Sequence, residues 1–185
     1  MARVSAMAWA VLAMGLGCGY RFLPRDEMLP EGVRAVCAPM FRNDTPEPGL
    51  ETLFTRAFRQ EMLRAGTLGG GGTCDANLEG VVTSVGSWPT IVTEPLFEET
   101  VDEQGNKNRR QIRDPQLASY RASASAVLRL TKDGRVLAET SVSGTEDYLP
   151  GSGDVLQAEA NRQAALHRLS ETLMREGYER LAQSW

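Results

Sequence analysis

Two periods of apolar residues run along the chain, and together they mark out two helices and a group of strands. Leu50, Leu53, Phe54, Ala57, Phe58 and Met62 recur at i, i+3, i+4, i+7, i+8 and i+12, a continuous stripe down one side of a helix. Pro48 suits its first turn, Glu47 and Glu51 complement the positive end of its dipole, and Gly66 ends it. A second, longer helix is expected from Val155 to about Gln183. There Leu156, Ala160, Leu166, Leu169, Leu173 and Leu181 supply a core-facing side that Gly177 weakens.

The other period is two. In Ser119 to Leu130, Tyr120, Ala122, Ala124, Ala126, Leu128 and Leu130 alternate with Arg121, Ser123, Ser125 and Arg129, the pattern of a half-buried strand. Asp133-Gly134 accepts the positive φ values of a tight hairpin turn, and a further strand follows from Val136 to Ser143. Val33 to Pro39 reads as a short first strand and Ala76 to Ser87 as a second. The order β-α-β-β-β-α predicts an α+β fold, two helices packed on a four-stranded mixed sheet. Residues 88–117 interrupt the middle strands with a long polar segment, acidic first (Glu94, Glu98, Glu99, Asp102, Glu103) and then basic (Lys107, Arg109, Arg110, Arg113). It is either a functional loop or an extension of both strands with its tip at Asp102 to Asn108.

The first residues differ from the rest. Arg3, an apolar run from Ala6 to Leu16 and small residues before a cysteine form the layout of an export signal. The run falls short of the roughly 20 apolar residues that cross a bilayer. Gly17-Cys18 resembles the end of a bacterial lipobox, although Gly15 stands where leucine is usual. Residues 1–17 are therefore expected to be a lipoprotein signal peptide, and Cys18 the acylated first residue of the mature chain. Stable anchoring needs more than one acyl chain. Residues 18–32, with Pro24, Pro30 and Gly32, read as a tether, and residues 33–185 as the domain.

Composition narrows the chemistry. The formal charge of −4 becomes more negative by one when Arg3 leaves, which disfavours bulk nucleic-acid binding. Cys37 and Cys74 remain after Cys18 is consumed, and either a disulfide or two buried thiols would account for them. They lack metal-ligand spacing, no histidine cluster accompanies them, and no metal or cofactor is expected. Gly66 to Thr73 is glycine-rich, but no Lys-Ser or Lys-Thr follows it and a helix precedes it, so it is read as a turn and not a phosphate loop. His167 is the only histidine, so no catalytic residue is assigned.

Longer motifs resemble a known family. Cys18-Gly19-Tyr20-Arg21-Phe22, Leu29-Pro30-Glu31-Gly32-Val33, Phe41-Arg42-Asn43-Asp44-Thr45 and Glu47-Pro48-Gly49-Leu50-Glu51 are similar to the start of the LptE lipoproteins of lipopolysaccharide assembly. The resemblance implies two helices on a four-stranded sheet, no catalysis, and a place at the periplasmic side of the outer membrane. It also implies two partners, an LptD-like β-barrel that the protein plugs and helps assemble, and lipopolysaccharide in transit to the cell surface. No motif carries ligand-contacting residues across, so the candidates come from charge: Lys107, Arg109, Arg110, Arg113, Arg121 and Arg129. A charged loop neutralised by its own acidic half accounts for the same residues. Alternatives from other classes are a lipoprotein scaffolding another envelope complex and a lipid-anchored hydrolase built around His167.

Overall fold

The computed structural model describes residues 29–70, 73–92, 96–101, 104–113, 117–151 and 154–183. The elements are β1 (Val36–Cys37), β2 (Arg42–Asn43), α1 (Leu50–Ala65), β3 (Ala76–Val92), β4 (Leu96–Val101), β5 (Lys107–Arg113), β6 (Leu117–Lys132), β7 (Arg135–Tyr148) and α2 (Val155–Ala182). β3, β6 and β7 form an antiparallel meander, and β1 and β2 pair in parallel with β3 on its other edge. The expected α+β arrangement of two helices on a mixed sheet is the observed one. No helix among the described residues is long and apolar enough to cross a membrane.

Both helices lie on one face of the sheet. Ala122, Ala124, Ala126, Leu128 and Leu130 of β6 point into it, beside Leu78 and Val82 of β3 and Ala138 and Val142 of β7. α1 contributes Leu50, Phe54, Phe58 and Met62, and α2 contributes Leu166, Leu169, Leu173, Met174 and Leu181. The small residues along β6 let the helices approach closely. Gly177, expected only to weaken α2, is the point at which that helix rests on the side chain of Leu128, and a Cβ there would overlap Leu128 Cδ1. Gly80 likewise leaves room for the ring of Phe41.

Local chemistry explains where elements start and stop. Gly66 sits at φ 72° and its N–H closes on the carbonyls of Leu63 and Met62, ending α1 as expected. Asp133 at φ 50° and Gly134 at φ 77° make the two-residue turn between β6 and β7. Asp154 caps α2 by accepting the N–H of Leu156 at 2.9 Å. Pro48 falls outside α1: Gly49, at φ 92°, is the residue that turns the chain into the helix.

Two other differences, and the outcome between the two arrangements expected of residues 88–117, matter below. Leu29 and Pro30, assigned to the tether, are buried around a short helical turn at Pro30–Gly32, so the fold takes them in ahead of Val33. A lone leucine among proline and charged residues carries no periodic signal. β2 is an additional strand. Residues 88–117 extend the sheet instead of forming a loop: β3 and β6 stay paired as far as Val92 and Leu117, and β4 and β5 form a separate two-stranded hairpin beyond them.

Candidate functional site

The motif after β2 builds a joint. Asn43 Oδ1 accepts from the N–H and hydroxyl of Thr45 at 3.0 and 2.8 Å, and its amide donates to the Glu47 carbonyl at 2.6 Å and to Glu51 at 3.0 Å. Glu51 also accepts the N–H of Gly49. Bonds from its own backbone N–H, then from Asn43 and lastly from Gly49, hold its carboxyl below the usual range. Glu47 does not serve the dipole of α1. Its two oxygens accept from Arg162 on α2 at 2.8 and 2.9 Å, and the same guanidinium reaches Glu159. Asn43, Thr45, Glu47, Gly49 and Glu51 thus tie β2, α1 and α2 together, while Leu50 packs in the core and Pro48 precedes the glycine that starts the helix. They position elements and present nothing to a ligand. The Glu47 to Arg162 pair carried no sequence signal, because its members lie far apart in the chain.

The basic candidates separate into two groups. Arg121 forms a two-bond pair with Asp147 at 2.6 and 2.9 Å, and Arg129 meets Glu139 at 2.7 Å. Each arginine stands directly across from its carboxylate on β7, on the open face of the sheet. The hydrogen bonds lower the carboxyl pKa values of Asp147 and Glu139, so both pairs are charged and internally matched. Arg121 and Arg129 are thus each already engaged by a carboxylate of β7.

Lys107, Arg109 and Arg110 are different. Their register sets them opposite Val101, Glu99 and Glu98, yet no ion pair joins these partners among the described residues. Arg109 instead lies over the ring of Phe97, 4.0 Å from its centroid. Alternation divides the hairpin into two faces. One carries Phe97, Glu99, Val101, Lys107, Arg109 and Gln111. The other carries Glu98, Thr100, Asn108 and Arg110. Arg113 pairs in the ladder with Leu96, and its side chain lies outside the described set. The basic run is therefore not one cluster, and the first face sets two cations with two exposed apolar groups, Phe97 at 38% and Val101 at 63%, while the second has Arg110 with Leu96. Sequence reasoning missed Phe97, although its alternation with Glu99 and Val101 was the available signal.

The remaining candidates are quickly placed. The sulfurs of Cys37 and Cys74 are joined, with Cα atoms 5.6 Å apart, linking β1 to the segment entering β3. The neighbouring Asp75 accepts the N–H groups of Arg34 and Ala35 at 3.0 Å each, which lowers its pKa and fixes the same corner. Cys18, Gly19, Tyr20 and Phe22 lie outside the described residues. His167 is half exposed on α2 with Glu171 3.9 Å from Nδ1, while the Ser170 hydroxyl donates to the carbonyl of His167 and not to its ring. Among the described residues the ring meets a carboxylate and no hydroxyl or thiol. No group of three or more potential metal ligands occurs among the described residues.

Comparison with known proteins follows from this geometry. The family model LptE, described as Lipopolysaccharide-assembly, matches residues 33–181. No curated protein matches the chain. Among solved structures, the chain is similar to a candidate lipoprotein from Caulobacter crescentus CB15, at 15% identity over 78% of this chain and 89% of that one, TM-score 0.49. It is also similar to the PelC dodecamer from Paraburkholderia phytofirmans, at 11% identity over 80% and 87%, TM-score 0.45. A third is the rare lipoprotein B from Shewanella oneidensis, at 14% identity over 80% and 92%, TM-score 0.37.

Proposed function

This chain belongs to the LptE family of lipopolysaccharide-assembly proteins, and from that premise we propose that it is an outer-membrane lipoprotein that binds lipopolysaccharide and plugs an LptD-like β-barrel. The observation that carries the reading is the family match, which spans the sheet, both helices and the hairpin. Cys18 holds the protein at the periplasmic side of the membrane through its acyl chains. The action is binding, without bond making or breaking.

The layout of the fold supports this division of labour. Leu29, the first described residue, lies at the β6–β7 turn end of the sheet, where Glu31 pairs with Arg135. The hairpin leaves the opposite end, past Tyr120 and Tyr148. β7 has 14 residues, so the two ends are separated by roughly 45 Å of strand at about 3.3 Å per residue. Leu29 thus stands at one end, and Lys107 and Arg109, which form no ion pair among the described residues, stand at the other. Their role is to meet the phosphates of lipopolysaccharide, the arginine through forked bonds.

Binding of purified lipopolysaccharide to the full chain tests the reading. Binding that weakens as salt rises, and that drops when Lys107 and Arg109 are replaced together by alanine, is the expected result. A wild-type chain that binds no lipopolysaccharide even at low salt would overturn it.

A further inference from the structure

The hairpin has two unlike faces, and one of them gathers two exposed apolar side chains and two cations among the described residues. We infer that the face bearing Phe97, Val101, Lys107 and Arg109 receives the acylated, phosphate-bearing part of the ligand, and that Arg109 moves from the Phe97 ring to a phosphate as an acyl chain takes its place. This inference rests on the lipopolysaccharide-binding reading and assigns that function to one side of one element.

Four observations lead to it. The hairpin makes few contacts with the body of the protein, its pairing being internal to β4 and β5. Every described side chain of β4 is exposed, including Leu96, Phe97 and Val101. A two-stranded ribbon of this kind has little support in water, and exposed apolar groups on it mark a surface that something covers. Among the described residues Arg109 and Arg110 form no ion pair although Glu99 and Glu98 stand across the ladder, whereas Arg121 and Arg129, in the same relation to carboxylates on the main sheet, are both paired. Lastly, the apolar and cationic groups coincide on one face: Arg109 touches Phe97, and Lys107 stands opposite Val101. Arg110 lies on the other face with Leu96, Glu98, Thr100 and Asn108, which holds one cation and one exposed apolar group among the described side chains.

An exposed guanidinium lying on a ring is held weakly, and a phosphate offers it a stronger, forked partner. Exchange of one for the other uncovers the ring when a lipid tail is available to cover it. Charge recognition and apolar contact are thereby coupled in a single side-chain movement. A phosphorylated sugar without tails would free the ring but leave it wet, and an uncharged tail would have to displace Arg109 without compensation. The face therefore favours a ligand that carries both groups.

The test compares variants of the full chain against three probes: intact lipopolysaccharide, its deacylated phosphorylated oligosaccharide, and phosphatidylglycerol vesicles. Lys107→Gln with Arg109→Gln should weaken binding of intact lipopolysaccharide roughly tenfold or more, as expected for lost charge-assisted bonds. Arg110→Gln should stay within about twofold of wild type, as expected of a charge that makes no direct contact. Phe97→Ser should weaken intact lipopolysaccharide while leaving the oligosaccharide unchanged. Oligosaccharide should also raise binding of an apolar fluorescent dye to wild type, and this rise should vanish in Phe97→Ser. Equal losses for Arg110→Gln and the Lys107, Arg109 double variant would overturn the assignment to one face. Absence of the dye response would overturn the exchange, and vesicles that compete as well as lipopolysaccharide would make the face a general membrane contact. A wild-type chain that fails to bind lipopolysaccharide would remove the underlying function as well, so the two failures are told apart.

Discussion

Gly177 lies inside a long helix, where glycine lowers helix propensity by about 1 kcal/mol relative to alanine. Its position over Leu128 explains why it is there: the lost propensity is offset by close packing of α2 on the sheet. Gly177→Val should therefore destabilise the fold by about 1–3 kcal/mol through overpacking. Urea unfolding checks this, and a gain in stability would show that α2 does not rest on Leu128. Glu159 gives a second prediction at this scale, in pH. Hydrogen bonds from Arg162, and then from Gln163, hold its carboxyl at about 2 in the fold, below the ordinary 4.5. A depressed acid stabilises the fold above its unfolded pKa, and that contribution fades as pH falls through the folded value. The melting temperature of wild type should exceed that of Glu159→Gln at pH 6, and the two should converge as pH approaches 2. A difference that grows on acidification would contradict the pairing.

Elements with one buried side were legible in the sequence, and elements without one were not. The stripe from Leu50 to Met62 and the alternation from Tyr120 to Leu130 both report contact with a single core, and both elements appear where that pattern sets them. β2 is only Arg42 and Asn43, which join the sheet by backbone pairing with Val81 and Val82, so their side chains carry no strand pattern. β4 exposes all of its side chains and offers no buried period to read. Register was hidden for another reason. Counting outward from the Asp133-Gly134 turn would set Arg129 across from Ala138, but an irregularity between Leu130 and Thr131 moves it to Glu139. The pairing of Arg129 depends on that shift, whereas Arg121 would face a carboxylate, Glu146, even without it. The same lack of burial makes the hairpin separable. Replacing residues 96–113 by a short polar linker should leave the melting temperature within a few degrees of wild type, because little packed area is lost and loop closure changes slowly with length. A collapse of the fold would show that the hairpin supports the sheet.

The described molecule is a long sheet with helices on one face, Leu29 at one end and a charged hairpin leaving at the other. The open face carries paired charges and the hydroxyls of Ser125, Ser143 and Thr145, a polar surface suited to the polar interior of a membrane β-barrel. On this account, the acyl chains on Cys18 bring a folded plug to its barrel, and barrel contacts hold it there. Cys18→Ala should yield a folded chain released from the membrane fraction, and retention at normal levels would make the anchor secondary to those contacts. The most direct measurement is capture of the full-length protein from its own envelope after mild detergent extraction, with the co-purifying proteins identified by mass spectrometry. An LptD-like β-barrel in about equal amount is the predicted result. Repeated recovery of the folded protein without such a barrel, or with an unrelated envelope complex in its place, would contradict the account.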